Sequence, residues 1–335
     1  LADVYKITGK VEGIGDFLME MKHRCFEPYD ALTVGEAMFV KEDILPRFIG
    51  DEGYFSTIFA FEPCHAYRKG NNYMNYDWPQ PFDKWRDETF HNQKIVEKAG
   101  FEANIIENHD QPRGASLFIP EEDYGFYSLS ALATIILCER GLPFLYQGQE
   151  IGMSNRRWKY DEFNDLETIN QYHIALRSGM SKEQALDIAG HHSRDNARTP
   201  MQWSSEDNAG FSKGKPWMPV NENYKMVNVA DEEKEYGSIL NFYKRLIAFR
   251  KSEEYNEILT YGDLKPMYEK KDHIFSYSRS YKEQKLVLIC NFSSEEKDIE
   301  LLEDYENVVF VNYEQTTVIG NTLKMKPYEC VVYSK

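Results

Sequence analysis

ANIIENHDQPRG, residues 103–114, passes from a short, mostly apolar run to a polar segment holding His109 and Asp110. That is how a buried strand hands over to a loop. Three other stretches share the design: ALTVGE (31–36), which ends on Glu36; STIFAF (56–61), after the turn signal GDEG; and PFLYQG (143–148), which ends at Gly148 just before Glu150. Helical patterns lie around them. Residues 11–27 carry Ile14, Phe17, Leu18, Met21 and Cys25 at amphipathic spacing; FDKWRDETFHNQKIVEK (82–98) follows the second run; and YSLSALATIILCERG (127–141), stopped by Gly141, follows the third. Strand, loop, helix in repetition is the grammar of a parallel α/β unit, whose chemistry gathers after the C-terminal ends of strands. Glu36, Asp110 and Glu150 all occupy such places.

From 154 to 235 the chain makes a long excursion, with a helix near 164–178, another opening on the capping-box pattern Ser181…Gln184, and the loop RDNARTPMQW (194–203). A strong helix returns over 236–252, with Ile239, Leu240, Tyr243, Leu246 and Ile247 on one side. After residue 255 the texture changes to short strands such as HIFSYSRS, KLVLICNF, NVVFVN, TLKMK and CVVYS, separated by turns. The spacing predicts an antiparallel β-sandwich. Two domains result, 1–255 and 256–335.

The 335 residues suit two such units, and 42% hydrophobic with 28% charged residues supports a packed core. A net charge of −16 argues against nucleic acid or an anionic membrane as the main partner, and no apolar run is long enough to span a bilayer. The five cysteines are scattered and lack metal-ligand spacing; they read as reduced thiols of a cytoplasmic protein.

Two carboxylates beside one glycosidic bond permit acid/base hydrolysis, provided one is held protonated by apolar surroundings or a like charge. Glu36, behind ALTV, suits the proton donor, and Asp110, beside His109, suits binding of sugar hydroxyls. On the pattern alone, the commoner role of strand-end acids is to cap helices or pair with arginine. His109 could equally be a core histidine, and Arg194 a surface ion-pair partner.

The ordered set TVGEA, ENHDQPRG, GLPFLYQGQEIGMSN, DLETINQY, RDNARTPMQW and LKMKPYECVVY resembles the α-amylase superfamily, glycoside hydrolase family 13, on its oligo-1,6-glucosidase and α-glucosidase branch. The resemblance runs essentially end to end. It implies Glu36 as general acid/base, Asp110 as the acid that grips the sugar and favours its distorted ring, and His109 and Arg194 as substrate contacts. It implies an oligosaccharide or disaccharide α-glucoside as substrate, and no cofactor.

The chain departs from that family in one respect. Nothing matches the Gly-Phe-Arg-x-Asp strand that carries the family's nucleophile: Asp3 lacks the arginine two positions before it, Asp16 sits in a helix pattern, and Asp30 is only six residues from Glu36. Eight βα units make the family's barrel, and four are legible here. The expected fold is therefore α/β, the C-terminal half of a (β/α)8 TIM barrel (strands 5–8), followed by the antiparallel β-sandwich. The expected function is that of a retaining α-glucosidase, truncated, lacking its nucleophile and inactive alone, prone to self-association through unpaired barrel edges. A sugar isomerase or transglucosylase, or a non-catalytic sugar-binding or ancillary relative, are the alternatives; no match to the arginine-rich loop of sucrose isomerases is evident.

Overall fold

The computed structural model of the protein describes residues 13–38, 40–305 and 307–335. Asp3 and the start of the first helical pattern lie outside them. The four apolar runs become four parallel strands, β1 (Val34–Gly35), β2 (Thr57–Ile58), β3 (Ala103–Asn104) and β4 (Leu142–Pro143). β1 pairs β2, Phe59 bridges to Ala103, and β3 pairs β4, so the strands lie side by side in chain order. The regular ladders are shorter than the runs suggested, but backbone bonds such as Ala60 N–H to Ala103 O (3.0 Å) and Phe144 N–H to Asn104 O (2.9 Å) prolong them. Among the described residues, β1 and β4 each have one strand neighbour, leaving an edge open on either side.

Among the described residues, the helices of eight or more residues are α1 (Ile14–Met21), α2 (Phe82–Val96), α3 (Phe126–Cys138), α4 (Leu166–Arg177), α5 (Lys182–His192) and α6 (Ile239–Lys251). α3 is buried on nearly all sides, as a helix apolar all round must be. Its last carbonyls have no helical partner and no access to water, so side chains answer them. Arg250 donates to the carbonyls of Leu137 (2.5 Å), Glu139 (3.1 Å) and Gly141 (2.8 Å). Arg279 donates to Cys138 O (2.8 Å), and Gln93 and Asn104 both donate to Arg140 O. The capping box at α5 forms as expected: Gln184 N–H donates to Ser181 Oγ (3.1 Å), and Ser181 N–H to Gln184 Oε1 (3.0 Å).

The C-terminal strands are β5 (Asp263–Met267), β6 (Ile274–Tyr281), β7 (Gln284–Asn291), β8 (Lys297–Glu300), β9 (Asn307–Val311), β10 (Thr317–Ile319), β11 (Thr322–Met325) and β12 (Cys330–Ser334). They form an antiparallel five-stranded sheet, β5-β6-β7-β12-β9, and a three-stranded sheet, β10-β11-β8. Alternation sorts the side chains of the larger sheet. Ile274, Val287, Ile289, Val331 and Tyr333 meet Ile299, Leu323 and Met325 of the smaller one, while Phe275, Tyr277, Leu288 and Val332 face the core that includes α3 and α6.

One expectation needs correction. The cysteines are not all reduced: Cys290 on β7 and Cys330 on β12 form a disulfide. They are 40 residues apart in sequence yet directly opposed in the β7–β12 register, so spacing gave no hint of it. Cys64 and Cys138 are buried thiols and Cys25 an exposed one. Among the described residues the apolar side of α1 is uncovered, with Phe17 72% exposed and Ile14 45%.

Candidate active site

Asp110 lies six residues beyond the end of β3. Its backbone N–H donates to Asn108 Oδ1 (2.8 Å), turning the loop and presenting the carboxylate. Two arginines converge on one oxygen: Arg194 Nη1 lies 3.0 Å and Arg198 Nη2 2.7 Å from Oδ1. The other oxygen, Oδ2, lies 3.5 Å from His109 Nε2. His109 is 63% exposed, so it is no core histidine, and its carbonyl accepts from Arg198 Nε (2.9 Å). Among the residues expected at the site, Asp110, His109 and Arg194 thus come together in one network.

The arginines are held by their neighbours in RDNAR. Residues 194–198 form a tight helical turn whose three central residues, Asp195, Asn196 and Ala197, are buried. Asp195 Oδ2 accepts from the backbone N–H groups of Asn164 (2.8 Å) and Asp165 (3.0 Å). Asn196 Oδ1 accepts from Arg156 N–H and from the Trp158 indole (2.7 Å), while its amide donates to the carbonyls of Gly190 and Ser193. Arg194 is tied a second time, its Nε donating to Asp165 Oδ1 (2.8 Å). Burial works against the Asp165 carboxylate, but bonds from Thr168 and Arg194 outweigh it and hold its pKa below the ordinary value. Burial likewise disfavours the Arg194 cation, and its bonds to Asp165 and Asp110 overcome that and raise its pKa.

Beneath the loop lies a buried ion pair. Arg113 Nη1 is 3.1 Å from Glu107 Oε1, and both side chains are 1% exposed. The same arginine donates to the carbonyls of Gln147 (2.7 Å) and Ala197 (3.4 Å), so it ties together the segments after β3 and β4 and the RDNAR turn. Gly148 is required there: at φ 91° its position is left-handed, and a Cβ would run into Met153 Sδ and lie 3.0 Å from Arg113 Nη1. Glu107 is structural; burial pushes its carboxyl up although Arg113 and the Gly114 N–H pull it down.

Glu36 immediately follows β1, at the same end of the sheet as Asp110. It is exposed, not enclosed by apolar neighbours as its sequence setting suggested, and it joins none of the Asp110 ion pairs. A cavity of about 500 Å³ lies at the opposite strand ends, bordered by Thr33, Ser56 and Phe101, and includes none of these residues. Among the described residues no cluster of His, Cys, Asp or Glu could hold a metal ion, and no helix is long and apolar enough to cross a membrane.

Residues 4–262 match the family described as alpha amylase, catalytic domain, and residues 274–332 match the alpha-amylase SusG C-terminal domain. The chain belongs to the alpha-amylase family, glycoside hydrolase family 13. An oligo-1,6-glucosidase of Bacillus cereus is 36% identical over 96% of this chain and 58% of its own length. Trehalose-6-phosphate hydrolase of Bacillus licheniformis superposes with a TM-score of 0.89 at 32% identity, covering 96% of this chain and 59% of that one. Isomaltulose synthase of Erwinia rhapontici NX5, solved with sucrose, gives 0.88 at 30%, covering 97% and 59%. The chain therefore spans rather more than half the length of these relatives. Within this alpha-amylase family chain, Arg198 and Asp165 complete the Asp110 network but were not singled out from the sequence. The signals were present: Arg198 stands four residues after Arg194 in RDNARTPMQW, and Asp165 opens DLETINQY.

Proposed function

We propose that this chain carries the acid/base half of a retaining α-glucosidase acting on short α-glucosides, of the oligo-1,6-glucosidase kind. The observation that carries it is the Asp110 network: a carboxylate after a parallel strand, one oxygen held by two arginines and the other left beside His109. Such an arrangement is built before substrate arrives, and preorganised charge is what stabilises an oxocarbenium-like transition state. Asp110 Oδ2 and His109 would take sugar hydroxyls, with Arg194 and Arg198 holding the carboxylate ionised and in place. Glu36, at the same end of the sheet, would protonate the leaving glycosidic oxygen and then take a proton from the water that releases the sugar.

A retaining displacement also needs a carboxylate nucleophile roughly 5–5.5 Å from the acid. We assign that group to a segment outside this sequence. The four strands then correspond to strands 5–8 of the barrel, and the open edges of β1 and β4 with the bare face of α1 favour self-association. The 335-residue chain should show no hydrolysis of p-nitrophenyl α-glucoside by itself. Co-expression with a segment supplying the first four βα units should restore it, and Glu36→Gln in that complex should lower kcat by about 100-fold or more. Turnover by the chain alone would overturn the assignment of the nucleophile; a monodisperse monomer by light scattering would overturn the self-association.

A further inference from the structure

The two arginines that grip Asp110 are anchored differently. Arg198 donates from Nε to the carbonyl of His109 (2.9 Å) and from Nη2 to Asp110 Oδ1 (2.7 Å), so both bonds end on the loop after β3. Arg194 reaches a separate element: Nη1 lies 3.0 Å from Asp110 Oδ1, while Nε donates to Asp165 Oδ1 (2.8 Å). A guanidinium is planar and rigid, so an arginine whose Nε is fixed has its Nη1 aimed as well. Asp165 is the point from which Arg194 is aimed at Asp110.

Asp165 is itself well held. It is the N-cap of α4, its Oδ2 accepting from the Thr168 N–H (2.9 Å) and from Thr168 Oγ1 (2.7 Å). Its own N–H donates to Asp195 Oδ2 (3.0 Å), so the RDNAR turn returns the hold. α4 packs against α5 through Tyr172, Ala175, Ala185 and Ala189. Gln171 ties α4 to the loop after β2, accepting from Tyr73 N–H (3.1 Å) and donating to Asn71 O (2.8 Å). The Asp165 side chain has no exposed surface, whereas Arg194 is 38% exposed and Asp110 39%. Asp165 cannot touch a sugar, so any effect it has on one passes through Arg194. A cap needs one acceptor, which asparagine supplies as well as aspartate. Capping α4 and holding Arg194 together need two acceptor oxygens, which only the carboxylate has. We propose that Asp165 is a positioning residue for Asp110, acting through Arg194, and that α4 is the frame against which Asp110 is set. Its bearing on turnover rests on the α-glucosidase reading above; its bearing on where Asp110 sits does not.

Asp165→Asn separates capping from positioning. In the 335-residue chain the Thr168 amide should keep its slow exchange, because the cap survives. The Arg194 Nε–H, identified by its loss in Arg194→Lys, should exchange about tenfold faster or more. The Asp110 carboxyl carbon resonance, identified by its loss in Asp110→Asn, should shift. Asp165→Ser, a cap too short to reach Arg194, should give the same three results and covers the case in which Asp165→Asn fails to fold. In the chain assembled with the first four βα units, Asp165→Asn should lower kcat by about tenfold and change KM by less than about threefold. An unmoved Asp110 resonance would overturn the proposal. So would a Thr168 amide that loses its protection together with the Arg194 Nε–H, which would make Asp165 a cap and nothing more, or an unchanged kcat in an active assembly. A wild-type assembly without turnover would overturn the hydrolytic reading instead, and the Asp110 resonance would then decide the positioning by itself.

Discussion

Between β1 and β4, parallel pairing covers two residues per strand and, among the described residues, leaves an open edge on both sides; between β6 and β7, antiparallel pairing runs unbroken from Ile274↔Asn291 to Tyr281↔Gln284. The C-terminal unit buries the inner faces of both its sheets within its own 70 or so residues. The parallel unit leans on others: α3 has its carbonyl end satisfied by Arg250 from α6 and Arg279 from β6. The contrast shows where stability is generated and where it is borrowed. Long-range antiparallel pairing makes its own, while a parallel strand depends on whatever covers its neighbours.

Amide exchange is the strongest way to break that contrast. The backbone of residues 33–36 should exchange about a thousandfold faster than that of 286–290, because local opening at an edge needs far less free energy than unfolding the sandwich. Equal protection would mean the parallel unit is self-sufficient. The staple of the C-terminal unit is next. A 40-residue closure predicts that the double substitution Cys290→Ala, Cys330→Ala costs about 4 kcal/mol. In denaturant without reductant, thiol titration should find Cys25, Cys64 and Cys138 only; a count of five would remove the staple from the comparison. The junction between units comes third. Arg279→Met should cost about 3 kcal/mol, since it strips bonds from the carbonyls of Cys138, Gly262 and Asp263. Loss of the parallel unit's chemical shifts before those of the sandwich would sharpen the point, and simultaneous loss would show one cooperative block.

The smallest effect follows pH. Burial pushes the Glu139 carboxyl up to about 8 against the pull of Arg279 and Arg250, and burial does the same to Glu102, also to about 8. Both acids are on the parallel side. An unfolded chain releases these protons near the ordinary value of 4.5, while the folded chain keeps them. Stability from these groups is therefore complete below about pH 4.5, falls as pH rises, and is lost above about 8. Glu139→Gln should flatten that slope in thermal melts recorded between pH 5 and 8; an unchanged slope would mean the carboxyl is ionised in the fold.

What the sequence disclosed tracks the range over which each interaction acts. The four parallel strands, the capping box at Ser181 and the helices α2 to α6 rest on local periodicity and were readable. β5, β8 and β10 were not: DLKPM and KDIE are too polar to look like strands, and TVI too short, until partners supply the pairing. The Cys290–Cys330 pair failed for the same reason. At the site, Asp110, His109 and Arg194 were recognisable from a family pattern; Arg198 and Asp165 stand in the same quoted motifs, but their partners are fixed only once the turn brings residue 198 across from 110 and 194 across from 165. The open face of Glu36 could not have been read at all, because enclosure depends on what lies beside β1.

The RDNAR turn divides its labour by position. Asp195 and Asn196 spend every polar atom named above on the protein's own backbone and on Trp158, while Arg194 and Arg198 reach the site. Holding the turn and holding Asp110 are therefore written in separate letters of one five-residue word. A change at Arg194 or Arg198 alters how Asp110 is gripped and leaves the bonds made by Asp195 and Asn196 in place; a change at Asp195 or Asn196 would move both arginines at once.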